Sequence, residues 1–272
     1  MNIRLKRLAG AATLALALSG LAACGSDDGN TGTDNPTNSG APSLDLIKAG
    51  TLTVCSDVPY APFEDFDSST PTGFKGFDVD VMSAIAKDLD LDLVWQDSDF
   101  NALKSGLSLN AGQCDLVASA MTINPERQAK MDFSDPYFDA DQSLLVPEGS
   151  SIHSIADLNG KKLGVQTGTT GETYANEHAT GAQIVSMPDD GTEFLALKSG
   201  QVDALLQDLP VNALHATAGG YVVVETYTTN ESYGFAMKKG NTSLVDAVDG
   251  ALAAMKSSGD YQTIYDTYFP KG

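Results

Sequence analysis

Positive charge is scarce in this chain. Only 16 lysines and arginines stand against 36 acidic residues in 272, a formal net charge of −20. Such acidity repels phosphate backbones and argues against nucleic acid as a partner. Histidine and cysteine are rarer still, at three each. His153, His178 and His215 are scattered, with no spacing that suits a metal ion. His178 and His215 lie in polar or helical surroundings and are expected at the surface. No Ser/His/Asp order and no carboxylate pair stands out, which weakens any hydrolytic reading. Gly168-Thr169-Thr170-Gly171 lacks the following lysine and the spacing of a nucleotide loop. The apolar run from Leu8 to Leu18 is too short to cross a bilayer, and no later one is long enough.

The start of the chain reads as a targeting segment over residues 1–23. Arg4, Lys6 and Arg7 precede an apolar run from Leu8 to Leu18, the layout of a secretory leader. Leu21-Ala22-Ala23-Cys24 resembles a bacterial lipobox, which implies lipidation of Cys24 as the first mature residue. Loss of the leader takes the formal charge from −20 to −23. Residues 24–43 contain no large apolar side chain, cannot offset the entropy of ordering, and read as a flexible tether. The expected location is the outer face of the cytoplasmic membrane, through a lipid anchor. Export also favours a disulfide between Cys55 and Cys114. The alternative is two free thiols, because Cys55 falls in a first strand and Cys114 just before a third, at different heights if those strands are parallel neighbours.

The remaining body alternates strand and helix patterns. Thr51–Ser56 reads as a strand, Val79–Leu89 as a helix, Leu91–Trp95 as a strand, Ala102–Leu109 as a helix, and Leu116–Ala118 as a strand. The order then repeats: strand Lys162–Gln166, helix to His178, strand Gln183–Ser186, helix Thr192–Lys198, strand Val202–Leu206. Gly-Gln-Cys-Asp at 112 and Gly-Gln-Val-Asp at 200 open equivalent strands, so that Ser119 falls on Gln207. Two βαβαβ runs call for an α/β fold with two mainly parallel sheets. Helical patterns after Leu244 are expected to return to the first lobe. Crossings near Asp139–Gln142 and Ser232–Phe235 would form a two-strand hinge. The expected division is 44–140 plus 235–272 for the first lobe and 141–234 for the second.

Ligands of open α/β sheets sit beyond the carboxyl ends of the strands. Facing lobes would therefore present Asp57, Tyr60, Ser119 to Thr122, Gln166 to Thr170, Gln207 and Asp208 to a shared cleft. Pro125 suits the first turn of a short helix, which carries Arg127. A guanidinium beside a helix start grips a carboxylate through its planar fork. Asp208, on the other lobe, would take an ammonium group. Its alternative role is capping the following helix. Tyr60, flanked by Pro59 and Pro62, and Phe100 offer stacking faces, or simply core packing.

Several motifs in order resemble the bacterial extracellular solute-binding proteins, family 3, of polar amino-acid uptake systems. They are Asp57-Val58-Pro59-Tyr60-Ala61-Pro62-Phe63-Glu64, Gly76-Phe77-Asp78-Val79-Asp80, Ser119-Ala120-Met121-Thr122-Ile123-Asn124-Pro125-Glu126-Arg127, Asp132-Phe133-Ser134-Asp135-Pro136-Tyr137, Gly164 to Gly171, and Gln207-Asp208. The resemblance implies a two-lobed periplasmic-binding-protein-like fold of type II. It implies that Arg127 holds an α-carboxylate and Asp208 an α-ammonium. Ser119, Ala120 and Thr122 would line the carboxylate, with Thr169 and Thr170 opposite, and Tyr60 and Phe100 would surround the side chain. Asp57, Gln166 and Gln207 point to a polar amino acid, cationic or amide. The implied partners are an ABC permease and its ATPase, with no cofactor and a monomeric chain. An enzyme on the same scaffold, such as a dehydratase of a cyclic acid, is the alternative. A sensor domain is a third reading, disfavoured because no membrane span follows before Gly272.

Overall fold

The structure, a computed structural model, describes residues 44–270. The leader, Cys24 and the tether lie outside the described residues.

The first half of the chain builds one sheet. Strand β1 (Thr51–Ser56) is buried at every position, because helices cover both faces of the sheet. A small hairpin, β2 (Asp65–Phe66) and β3 (Phe74–Lys75), leads into helix α1 (Phe77–Asp88). Gly76, just before α1, has φ 138°, and a Cβ there would lie 2.1 Å from the Phe63 carbonyl oxygen. Only glycine lets the two segments meet. Strand β4 (Asp92–Asp97) follows, then α2 (Phe100–Lys104), α3 (Leu107–Asn110), β5 (Leu116–Val117), α4 (Pro125–Gln128) and β6 (Met131–Phe133). The single helix expected over Ala102–Leu109 is thus two short ones. Gly106 between them adopts φ 74°, which ends α2 in a left-handed turn.

Strand β7 (Phe138–Pro147) begins a second sheet, with β8 (Lys162–Gln166), α5 (Thr170–His178), β9 (Gln183–Met187), α6 (Asp190–Lys198), β10 (Ala204–Asp208), α7 (Leu209–Thr217) and β11 (Tyr221–Tyr233). The strand expected over Val202–Leu206 is shifted two residues later. The chain then returns through β12 (Ala236–Lys238) to the first sheet and ends in α8 (Thr242–Ser258) and α9 (Asp260–Tyr268). Both terminal helices pack on the first core, as their apolar spacing predicts.

The two sheets share one plan. Their strand orders are β4-β1-β5-β12-β6 and β11-β7-β10-β8-β9. Strands β4, β1 and β5 are parallel in one and β10, β8 and β9 in the other, and beside β5 and β10 each sheet admits an antiparallel strand that arrives from the other sheet, β12 or β7. Strands β5 and β10 occupy the same place in this plan, which accounts for the short repeat that aligns Ser119 with Gln207. Neighbouring residues alternate between faces: Leu144 and Val146 face one core of the second sheet, Leu145 the other.

The links between the sheets are the segments that precede β7 and follow β11. These two long strands pair antiparallel from Phe138↔Tyr233 to Pro147↔Tyr221. Beneath them lies an aromatic cluster of Phe63, Phe77, Phe138, Tyr233 and Phe269, with ring centroids 4.8–6.2 Å apart for the contacting pairs; Phe63 meets Phe77, Phe138 and Tyr233 edge to face, and Phe138 stacks on Tyr233. Cys55 and Cys114 are bonded, with 5.7 Å between their Cα atoms. Val117 of β5 pairs with Cys55. Cys114 precedes that strand and reaches back to the bridge, so the two cysteines need not stand opposite each other.

Candidate functional site

The carboxyl ends of β1 and β5 in one sheet face those of β8 and β10 in the other. A cavity lies between them, lined by Asp57, Tyr60, Phe100, Ser119, Ala120, Thr122, Arg127, Gln166, Thr169, Thr170 and Asp208. All of these were expected from sequence.

Arg127 sits on α4, capped by the Asn124 side chain, which accepts the Arg127 N–H at 2.9 Å. The guanidinium is 4% exposed. Nη1 donates to the Thr122 carbonyl at 2.9 Å and Nη2 approaches the Gly168 carbonyl at 3.5 Å. Its plane lies 5.3 Å from the Phe100 ring centre, a cation–π contact. Among the described residues no carboxylate lies within 4.0 Å of it. Burial draws its pKa down, with the more distant Asp208 and Glu231 acting the other way. A buried guanidinium stays charged and needs an anion. Of its five N–H donors, one is well used and one weakly. The backbone N–H groups of Thr122 and Thr170 also lack protein acceptors among the described residues.

Asp208 ends β10 and is 7% exposed. It stands at the N-cap position of α7 but makes no side-chain capping bond, so its carboxylate is free to face the cavity. Tyr60 Oη donates to Oδ2 at 2.8 Å, and Tyr233 Oη and Gln142 Nε2 also donate to this carboxylate. Burial, and then Glu231, raises its pKa to about 6. Burial, and then the negative charge of Asp208, push the Tyr60 and Tyr233 phenols up. No cation pairs with Asp208 among the described residues. One end of the cavity therefore holds a buried cation and a buried anion without salt-bridge partners.

Asp57, 7% exposed, accepts a hydrogen bond from Gln166 Nε2 across the cleft. Burial raises its pKa to about 7; the Gln166 bond opposes this, while Asp97, Asp189 and Asp99 add to it. This wall of the cavity is therefore a second acidic pole. Ser119 Oγ accepts the Asp57 N–H at 3.0 Å and donates to Glu64 at 2.9 Å. Thr169 caps α5, accepting the Glu172 N–H, and Thr170 opens that helix. Several of these contacts join residues far apart in sequence, Tyr60 to Asp208 and Asp57 to Gln166 among them, and hold the cleft shut.

Gln207 is not on the cavity wall. Its Nε2 donates to Asp190 and Asn212, both at 3.0 Å, so it lies in a polar layer behind Asp208. Strand alternation explains this: adjacent residues at the end of β10 point to opposite faces. His215 belongs to the same layer. It is not a surface residue: its side chain is 14% exposed, lies 2.7 Å from Asp190 and stacks on Phe194. Gln142, Tyr233 and Glu231 were not expected at the site. Gln142 contacts Asp208 and reaches Glu231 at 3.2 Å, and Glu231 accepts from Thr122 at 2.8 Å. All three come from the hinge strands, whose polar residues carry no local signal of a site. Among the described residues no group of His, Cys, Asp and Glu is placed to hold a metal, and no helix is long and apolar enough to cross a membrane.

The sequence model of the bacterial extracellular solute-binding proteins, family 3, matches residues 52–271. The chain belongs to that family. As a family 3 solute-binding protein it resembles a probable histidine-binding protein of Neisseria gonorrhoeae, 35% identical over 272 residues, covering 96% of this chain and 95% of that one. A solved ancestral arginine-binding protein bound to glutamine is 37% identical with a TM-score of 0.77, covering 82% of this chain and 100% of its own. An ancestral amino acid-binding protein described as a precursor of cyclohexadienyl dehydratase is 38% identical with a TM-score of 0.73, covering 81% of this chain and 95% of its own. The solute-binding protein thus shares its two-lobed fold with proteins that carry amino acids.

Proposed function

We propose that this protein is an extracytoplasmic receptor that captures a polar amino acid in the cleft between its lobes and delivers it to an ABC-type permease and its ATPase. The observation that carries the reading is the pair Arg127 and Asp208, opposite charges buried in one cavity with no salt-bridge partner among the described residues. An α-amino acid brings the complementary ends: its carboxylate satisfies the guanidinium and the free N–H groups of Thr122 and Thr170, and its ammonium takes Asp208. Because the ligand touches both lobes, it favours the closed arrangement. Tyr60 and Phe100 flank the side chain.

The acidic pole at Asp57, with the Gln166 amide beside it, suits a cationic or amide side chain. This agrees with relatives whose names mention histidine, arginine and glutamine. The lobes divide at about residues 140 and 235 along the hinge strands. The chain acts as a monomer, tethered through a lipid on Cys24. The dehydratase-related neighbour keeps an enzyme in view as a second reading. Unpaired charges that match a zwitterion favour the receptor.

A thermal-shift screen of the common amino acids tests the assignment. L-Arginine, L-lysine, L-histidine or L-glutamine should raise the melting temperature with concentration, since linkage grows with ligand over Kd. Bound ligand recovered after denaturation should be chemically unchanged. No stabilisation by any amino acid, or a converted product in the mass spectrum, would overturn the receptor reading.

A further inference from the structure

Beneath the ligand-facing wall lie two carboxyl groups that the receptor reading does not use. Glu64 and Asp78 are both 0% exposed. Neither forms a salt bridge among the described residues. Their segments are packed backbone against backbone: the Asp78 N–H donates to the Phe63 carbonyl at 3.0 Å and the Phe77 N–H to the Pro62 carbonyl at 2.9 Å. Each acid uses one oxygen and leaves the other without a partner, Glu64 Oε2 and Asp78 Oδ1. The oxygens in use grip consecutive residues of one turn. Glu64 Oε1 accepts from Ser119 Oγ at 2.9 Å, and Asp78 Oδ2 accepts the Ala120 N–H at 3.0 Å and the Tyr137 hydroxyl at 2.7 Å. That turn needs holding: Ala120 has φ 43°, a left-handed conformation unfavourable for alanine.

Two ionised carboxylates cannot stand side by side in a dry interior without a cation. The titratable groups around them are Asp57, Tyr137 and Tyr261; none brings positive charge at neutral pH. We infer that Glu64 and Asp78, which grip consecutive residues of one turn from a dry interior, retain one proton as a pair, and that the pair positions the Ser119–Ala120 turn. Calling that turn part of a ligand wall rests on the receptor reading; the shared proton does not. The pair acts as one support, with one end on the Ser119 side chain and the other on the Ala120 backbone. Burial raises both groups, Asp78 to about 7 and Glu64 well above the usual carboxylate range, with the charge of Asp78 adding to the rise at Glu64, which is consistent with retention of one proton at neutral pH.

The test needs no ligand, so failure to bind amino acids would leave it intact. Carboxyl-carbon NMR titration of the wild-type chain should show one proton on the pair at pH 7; ionisation of both groups below pH 6 would overturn the inference. The sign for stability follows from raised folded-state pKa values: the folded state binds a proton that the unfolded state has lost, so stability falls as pH rises from 5 to 8. Glu64→Gln replaces the shared proton with an amide hydrogen, and its melting temperature should fall less over that range. Parallel curves would count against the pair. Amide exchange at Ala120 should stay within about threefold of wild type in Glu64→Gln and quicken about tenfold or more in Glu64→Leu. Unchanged exchange in Glu64→Leu would show that Glu64 does not position the turn.

Discussion

Removal of the Arg127 guanidinium should separate binding from stability. In the proposed liganded state this group would face a carboxylate in a closed cleft. Truncating one partner of a buried charge pair costs about 3–5 kcal/mol, because the other charge is left unpaired. That is roughly two to four powers of ten in Kd. An affinity near micromolar would move to about millimolar or beyond detection. In the ligand-free protein the sign differs. Arg127 makes one hydrogen bond of good length, at 2.9 Å, a long one at 3.5 Å and a contact with Phe100. These contribute about 1–2 kcal/mol. Against them stands the desolvation of an unpaired charge, several kcal/mol per ion. Arg127→Ala should therefore leave the ligand-free protein as stable as wild type, or more so. Calorimetric titration and a ligand-free melt on the same sample give both readings. Binding within tenfold of wild type, or a melting temperature several degrees lower, would refute the reasoning.

Three further outcomes follow from the site. Asp208 has a raised pKa of about 6 in the free protein, and only its ionised form pairs with an ammonium, so affinity is kept above pH 6 and lost below it. Calorimetry should find binding about tenfold weaker at pH 5 than at pH 7.5, with proton release on binding near pH 6; a flat profile would remove Asp208 from the ammonium site. Asp57→Asn should lose affinity for L-arginine by about tenfold more than for L-glutamine, or ~1.4 kcal/mol; equal losses would mean that Asp57 does not select the side chain. Reduction of the Cys55–Cys114 bridge, which spans 59 residues of chain, should lower stability by about 4 kcal/mol in chemical denaturation; an unmoved midpoint would show that the bridge does not restrain the unfolded chain.

Much of the fold is legible from local pattern. The six-residue run Thr51–Ser56 stands where expected, and so does the helix that follows the Gly-Thr-Thr-Gly turn and ends at His178. Such signals are short-range, because strand and helix periods are set by neighbouring residues. Gly106 was the missed local cue: its left-handed turn splits one expected helix into two. The long strands β7 and β11 were legible only at their hinge ends, since their pairing joins residues up to 95 apart, as in Phe138↔Tyr233.

Sequence by itself determined the element types, the two similar βαβαβ halves and the identity of the charged residues at strand ends, because turn chemistry and hydrophobic period act within a few residues of chain. Tertiary structure alone decided which of those side chains meet. It turned Gln207 and His215 into a layer behind the cleft, brought Gln142, Glu231 and Tyr233 in from the hinge, and set Glu64 beneath Ser119 and Asp78 beneath Ala120. The physical reason is sequence distance: Tyr60 and Asp208 are 148 residues apart, and their 2.8 Å contact exists only once two separately packed cores have closed on each other.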